Sequence, residues 1–194
     1  MKGAKAITPL EVEKTLNAFS GKYALRNKAL FVLGIKTGLR ISEVLSLRIQ
    51  DIHKDGQILD RIYVQRKNTK GKISGRSIVL NPQAKKAVKT WINQLNASKE
   101  LDETAYLFSS RKGTNKSISV QQAWNILKEA FDKAGLTGKL SCHTLRKTYA
   151  QQIYIKLNRE LHLVQAALGH RNINSTIQYL NLNQDRIEEA ILSL

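Results

Sequence analysis

Apolar residues recur at helical spacing along most of this chain, and the spacing changes to alternation only between residues 58 and 80. There Ile58, Ile62 and Val64 predict one strand, and residues 77–80 predict its antiparallel return across a polar turn that contains Lys and Gly. One short hairpin among many helices predicts an α+β fold that is mainly helical, with a small antiparallel β-sheet packed on a helical bundle.

Local signals place several helix ends. Thr8, Pro9 and Glu11 in "TPLE" predict an N-cap, a first-turn proline and a capping box. Residues 23–36 predict an apolar helix leading to "TGLR", and Asn81-Pro82 predicts the start of another.

The remaining segments complete a single predicted domain over residues 1–194, without an internal repeat or linker. "AYLF" at 105–108 predicts a short strand. The chain closes with an apolar stripe at helical spacing, made of Ile187, Ala190, Ile191 and Leu194.

The charge balance points to a polyanionic partner. Thirty-two Lys and Arg against fifteen Asp and Glu give a net charge of +17, which favours DNA or RNA over a membrane surface. An ordinary basic protein is the alternative. The basic side chains that we expect to contact a nucleic-acid backbone are Lys70, Lys72, Arg76, Lys85, Lys86, Arg111 and Lys112.

Several classes of protein are disfavoured. Cys142 is the only cysteine, which argues against a disulfide framework and a CxxC zinc site. The four histidines lack HExxH spacing and no GxxxxGK[ST] loop is present, so we expect neither a metal nor another cofactor. Without a long apolar run or a signal peptide, we expect a cytoplasmic protein with no membrane partner.

Two arginines each have a polar neighbour three residues away. Arg40 and Glu43 share a helix face in "TGLRISEVLSL", so the carboxylate can hold the guanidinium; an ordinary surface ion pair is the alternative. His143 and Arg146 share a face in "HTLR", a combination suited to an anion because Arg offers a planar, charged fork. The alternative there is a structural histidine beside an exposed arginine.

A histidine and a tyrosine lie nine positions apart in "LGHRNINSTIQYL". Gly169 predicts a helix end that aims His170 beyond it. Tyr179 is either a packing residue or a nucleophile, and a nucleophilic tyrosine, with a pKa near 10, needs cationic neighbours and a base.

Taken in order, "TGLRISEVLSL", the lysine-bearing hairpin, "HTLR", "LGH" and Tyr179 resemble the tyrosine recombinase (phage integrase) family. The resemblance runs from about residue 7 to the C-terminus. It implies the catalytic-domain fold of DNA breaking-rejoining enzymes. It also implies a double-stranded DNA partner.

The resemblance implies a role for each matched residue. Arg40 and Arg146 correspond to the catalytic arginines, Glu43 to the acid that orients the first of them, and Tyr179 to the nucleophile. His143 corresponds to the histidine of the HxxR pair, and His170 to a second phosphate-binding position. The family's hairpin lysine corresponds best to Lys67, with Lys70 and Lys72 as alternatives. Lys147 departs from the common motif "HxLRH", which has histidine at that position.

The implied activity is site-specific recombination through a 3′-phosphotyrosyl intermediate, without metal or ATP. A type IB topoisomerase and a catalytically silent DNA-binding regulator are the alternatives. The resemblance also implies a homotetramer on DNA, assembled through the C-terminal stripe; a stripe folded onto its own domain is the alternative. Since the family's N-terminal core-binding domain has no counterpart here, we expect either a fragment or a short single-domain protein.

Overall fold

The computed structural model describes residues 3–67, 73–111, 115–180 and 191–192, with side chains except at 65–67 and 73–74. The chain divides into two compact units, Met1–Tyr149 and Ala150–Leu194. Because the division follows Tyr149, it falls within one helix, Cys142–Lys156. The prediction of a single domain over 1–194 stays a prediction.

Helices make up most of both units. In the first unit these are α1 Pro9–Ala18, α2 Ala24–Thr37, α3 Ile41–Leu45, a 3-10 turn Ile49–Asp51, α4 Pro82–Ala97 and α5 Val120–Lys133. Helix α6, Cys142–Lys156, begins in the first unit and ends in the second, which continues with α7 Leu161–Leu168 and α8 Ile173–Leu180. The mainly helical α+β prediction is confirmed.

Four strands form two small antiparallel sheets. Strands β1 His53–Lys54 and β2 Gln57–Ile58 make one, and β3 Arg61–Lys67 and β4 Ile73–Val79 make the other. The prediction that Ile58 belongs to the strand of Ile62 is wrong, because β2 ends at Ile58 and β3 begins at Arg61. The amide of Leu59 there donates to the carbonyl of Ile52 at 2.9 Å.

The predicted strand at 105–108 is also absent from the described chain. Tyr106 makes one isolated bridge with Arg48. The carbonyl of Leu107 accepts a hydrogen bond from Trp91 Nε1 at 2.9 Å, so a side chain competes with strand pairing there.

Local predictions of helix ends are confirmed. Thr8 Oγ1 accepts from the amide of Glu11 at 3.2 Å, and Glu11 Oε2 accepts from the amide of Thr8 at 2.8 Å, which completes the capping box. Asn81 caps α4 through its side chain. The C-terminal stripe lies outside the described residues except for Ile191, which is exposed.

Helix α2 packs against two hydrophobic clusters of the first unit. Leu30 and Leu33 join the cluster that includes β3 and α4, whereas Phe31 and Ile35 join the cluster of α5 and the start of α6. A Cβ at Gly34 would lie 2.5 Å from Leu145 Cδ1. Only glycine at position 34 therefore lets α6 approach α2 this closely.

Within the described chain, no helix has the length and apolar character that crossing a membrane requires.

Candidate active site

The turn after α2 presents Arg40. Gly38 ends α2 in the left-handed region with φ 62°, and Arg40 then caps α3. The amide of Arg40 donates to Glu43 Oε2 at 2.7 Å, and its Nη1 lies 3.3 Å from Glu43 Oε1. One buried carboxylate thus caps α3 and holds the guanidinium, as the i, i+3 spacing predicts. The arginine side chain keeps 31% of its surface exposed and can contact a ligand.

Arg76 reaches the same carboxylate from the β3–β4 hairpin. Its Nη2 lies 3.3 Å from Glu43 Oε2. In the hairpin Arg76 pairs with buried Val64, and it shares the strand face of Ile78. The sequence predicts Arg76 as a DNA-backbone contact, but the structure places its guanidinium against Glu43, because alternation along β4 turns this face inward.

Arg146 binds the backbone of the same turn. Only 2% of the residue is exposed, and its Nη1 donates a hydrogen bond to the carbonyl of Gly38. The alternative of an exposed arginine at this position is therefore wrong. His143 lies one helical turn earlier on α6 and is exposed, while Leu145 points into the core as predicted.

Tyr149 completes this arrangement and is not predicted from the sequence. Its ring lies where a Cβ at Gly38 would overlap it. Burial raises the pKa of the Tyr149 hydroxyl, while the charges of Arg76 and Arg146 act in the opposite direction. The spacing of Tyr149, three residues after Arg146 on α6, is the signal that would have placed both on one face.

The first unit therefore brings three guanidinium groups to the segment between Gly38 and Glu43. Those of Arg40 and Arg76 contact the Glu43 carboxylate, and that of Arg146 binds the carbonyl of Gly38. Planar, permanently charged forks of this kind bind phosphate oxygens in pairs. The arrangement is suited to an anionic ligand.

The second unit brings together the predicted histidine and tyrosine. Gly169 ends α7 with φ 63°, which confirms the predicted helix end. His170 Nδ1 lies 3.0 Å from Thr176 Oγ1, and the rings of His170 and Tyr179 are 5.2 Å apart at 65°. Tyr179, half-buried on α8, thus has an imidazole against its ring.

The other predicted residues are more scattered. Lys67 lies at the end of β3 opposite Ile73, and its side chain is not described. Lys85 makes an ion pair with Asp60, which offsets its charge, whereas Lys86 and Arg111 are exposed. Three predicted residues lie outside the described part of the chain: Lys70, Lys72 and Lys112.

A family model, that of the Phage integrase family, matches residues 5–186. The chain belongs to the phage integrase family. Its relatives include the tyrosine recombinase XerC of Caldanaerobacter subterraneus, 30% identical over 186 residues, and the probable integrase/recombinase YoeC of Bacillus subtilis, 32% identical over 165 residues.

The alignments cover different shares of these relatives. The match to XerC covers 95% of this chain and 49% of XerC, so the chain spans about half the length of that relative. The match to YoeC covers 85% of this chain and 82% of YoeC.

Solved structures show the same fold. The crystal structure of XerA recombinase superposes with a TM-score of 0.74 at 22% identity, covering 98% of this chain and 65% of XerA. A post-cleavage complex of XerH site-specific recombinase with a palindromic difH substrate gives a TM-score of 0.71 at 25% identity, covering 96% of this chain and 52% of XerH.

In this phage integrase family member, the residues that the resemblance singles out fall into two groups along the chain. The first unit carries Arg40, Glu43, Lys67, His143 and Arg146, and the second carries His170 and Tyr179. The roles of these seven residues in catalysis stay predictions.

Proposed function

We propose that this chain is the catalytic domain of a site-specific DNA recombinase or integrase that cuts and rejoins DNA through a 3′-phosphotyrosyl intermediate. The observation that carries the proposal is the Gly38–Arg40 turn, from which Arg40 projects and to which Arg146 is hydrogen-bonded. Two arginines fixed to one short turn form a preorganised site for a phosphodiester. Family membership supports the same reaction.

In the proposed reaction, the Tyr179 hydroxyl oxygen attacks a DNA phosphorus and forms a phosphotyrosyl bond while the P–O5′ bond breaks. Arg40 and Arg146 bind the non-bridging oxygens, where negative charge accumulates in the transition state. His143 accepts or orients the tyrosine proton, and His170 donates a hydrogen bond to the phosphate. Lys67 protonates the departing 5′ oxygen.

Rejoining is the reverse of this reaction. The phosphotyrosyl bond conserves the phosphodiester, so a 5′-hydroxyl attacks the phosphorus and tyrosine leaves. Attack by a different DNA end gives the recombinant product, and the two steps need no external energy source.

Double-stranded DNA is the proposed partner, and the proposed assembly on it is a homotetramer built through the apolar stripe Ile187, Ala190, Ile191 and Leu194. Light scattering with and without DNA tests the assembly. A chain that ends at Asp185 is expected to lose DNA-dependent assembly, and a truncated chain that still assembles overturns the role of the stripe.

The reaction is tested by trapping the adduct on nicked suicide duplexes that carry candidate recombination sites. We expect the wild-type chain to form a covalent protein–DNA complex. Tyr179→Phe is expected to bind the same duplexes without forming one. Tyr154→Phe is the matched control, because Tyr154 is also a half-buried tyrosine of the second unit. An adduct that persists in Tyr179→Phe rules out this nucleophile.

A further inference from the structure

Three cationic side chains surround the ring of Tyr23 at the start of α2. The centroid of this ring lies 4.6 Å from Arg26 Cζ, 5.4 Å from Arg111 Cζ and 5.8 Å from Lys22 Nζ. We call Lys22, Arg26 and Arg111 the Tyr23 cation cluster. Each cation gains from the ring, but the three charges also repel one another.

Arg26 is buried without an acidic partner among the described residues. Only 6% of the residue is exposed, and its Nε and Nη2 donate to the neutral side-chain oxygen of Asn27 at 3.2 and 3.0 Å. Burial lowers the pKa of Arg26, Tyr23 opposes that shift and the charge of Arg111 adds to it. Burying a charge costs free energy unless the charge is compensated, so an anion held beside Arg26 by the more exposed cations of the cluster would stabilise this guanidinium.

The start of α2 adds to the positive potential. Its N-cap residue, Tyr23, makes no side-chain cap, and the first turn contains no acidic residue. The first amide groups of a helix carry a partial positive charge that favours anions. The helix start and the three side chains therefore concentrate positive potential at one place on the first unit, where the ring of Tyr23 holds the cations together.

This cluster is separate from the turn that carries Arg40. Helix α2 has 14 residues between them, which at 1.5 Å per residue gives about 20 Å. One phosphate cannot contact both places. A duplex, however, carries phosphates along its whole length, so another phosphate of the same duplex can lie at the cluster.

We propose that the Tyr23 cation cluster is a second phosphate-binding site, which holds the DNA backbone about 20 Å from the phosphate bound at Arg40. The proposal rests on the proposed function for the identity of the ligand. DNA fits better than an acidic protein segment, because a duplex bound at Arg40 brings many further phosphates close to the same unit.

The test removes two charges of the cluster. Lys22→Gln/Arg111→Gln in the full chain is compared with Lys128→Gln/Lys133→Gln, which removes two exposed lysines that pair with acids on α5. Tyr179→Phe is present throughout, so that binding to a 30-base-pair duplex is measured without cleavage. Affinity is recorded between about 50 and 200 mM salt, the range over which phosphate contacts dominate the salt dependence.

The slope of log K against log salt is expected to become shallower by about 1.8 in the cluster variant, because each lost phosphate contact removes about 0.9. A slope equal to that of the α5 control overturns the proposal and leaves an acidic protein segment as the ligand that these charges fit. In the chain with Tyr179, the cluster variant should form adduct at the wild-type rate once DNA saturates it. A slower rate at saturation places the cluster in the chemistry and overturns its role as a remote binding site.

Failure of the proposed function would be recognised separately. If the chain forms no adduct but the slope changes as expected, the second phosphate-binding site is supported and the proposed reaction is overturned. If the chain forms an adduct but the slope does not change, the proposed reaction is supported and the second phosphate-binding site is overturned.

Discussion

Arg76 and Glu43 connect the β3–β4 hairpin to the turn that carries Arg40. Arg76 Nη2 lies 3.3 Å from Glu43 Oε2, and the same carboxylate contacts Arg40 Nη1 through Oε1 at 3.3 Å. Glu43 is only 8% exposed, so the two guanidinium groups compete little with water for it. A change at Arg76 should therefore reach Arg40 through Glu43.

We expect Arg76→Gln and Glu43→Gln to be strongly non-additive. Each variant removes the same ion pair, so the free energies of unfolding should show a coupling of about 0.5 to 3 kcal/mol in a double-mutant cycle. Denaturant unfolding of the two single variants and the double variant measures it. Arg61→Gln is the control, since Arg61 is exposed on the same hairpin and contacts Ser77 instead. Additivity of Arg76 with Glu43 would mean that the contact carries no stability.

Gly38→Ala should be more destabilising than an ordinary left-handed glycine substitution. An L-residue at φ 62° costs about 1 to 2 kcal/mol, and here the new Cβ would also overlap the Tyr149 ring. Gly21→Ala is the control, because Gly21 has φ 78° and the methyl group of an alanine there would meet no other described residue within 4 Å.

The two contributions at Gly38 can be separated by unfolding measurements. In a chain that already carries Tyr149→Ala, adding Gly38→Ala should lower the free energy of unfolding by less than it does in the wild-type chain, because the ring that the new Cβ would overlap is absent. Equal losses for Gly38→Ala and Gly21→Ala would contradict a tight contact with Tyr149.

The parts of the site predicted correctly depend on local geometry. Arg40 with Glu43 and Thr8 with Glu11 are three residues apart, and helix geometry alone brings such pairs together. Gly169 likewise marks a helix end through its own backbone conformation. None of these required knowledge of the tertiary fold.

The missed contacts join distant parts of the chain. Arg76 meets Glu43 across 33 residues, which requires both the hairpin register and its position against α3. The alternation that it shares with Ile78 indicates an inward face, but not a partner. At Ile58 the sequence pattern predicts too much. The apolar alternation continues from Ile58 to Ile62, but the strand does not, because the amide of Leu59 binds the carbonyl of Ile52.

Cys142 should react slowly with thiol reagents. Burial raises the pKa of its thiol, so less of the reactive thiolate is present at a given pH. The rate of alkylation should therefore rise at a higher pH than it does for an exposed cysteine. Because it is the only cysteine, iodoacetamide labelling followed by mass spectrometry reports it alone. The same chain in guanidinium chloride is the reference. Equal pH profiles for the folded and unfolded chain would contradict the effect of burial.

Thr176→Val should disturb the surroundings of Tyr179, although valine and threonine have similar volumes. Thr176 is fully buried, and the substitution removes the hydroxyl that lies 3.0 Å from His170 Nδ1. Loss of this hydrogen bond should lower stability by about 1 kcal/mol. If the proposed reaction is correct, the rate of adduct formation should fall by a larger factor than DNA affinity.

Thr90→Val is the matched control, because Thr90 is an exposed threonine that bonds only to the carbonyl of Lys86 among the described residues. Unchanged His170 imidazole signals in the NMR spectrum of Thr176→Val would show that the threonine does not hold the ring.

The division of the chain after Tyr149 has a spectroscopic consequence. Both tryptophans, Trp91 and Trp124, lie in the first unit. Their emission during heating or denaturation follows that unit alone, whereas far-ultraviolet circular dichroism also follows α7 and α8. The difference between the two melting curves therefore measures, without any label, whether the tyrosine-bearing unit melts with the rest of the chain or before it.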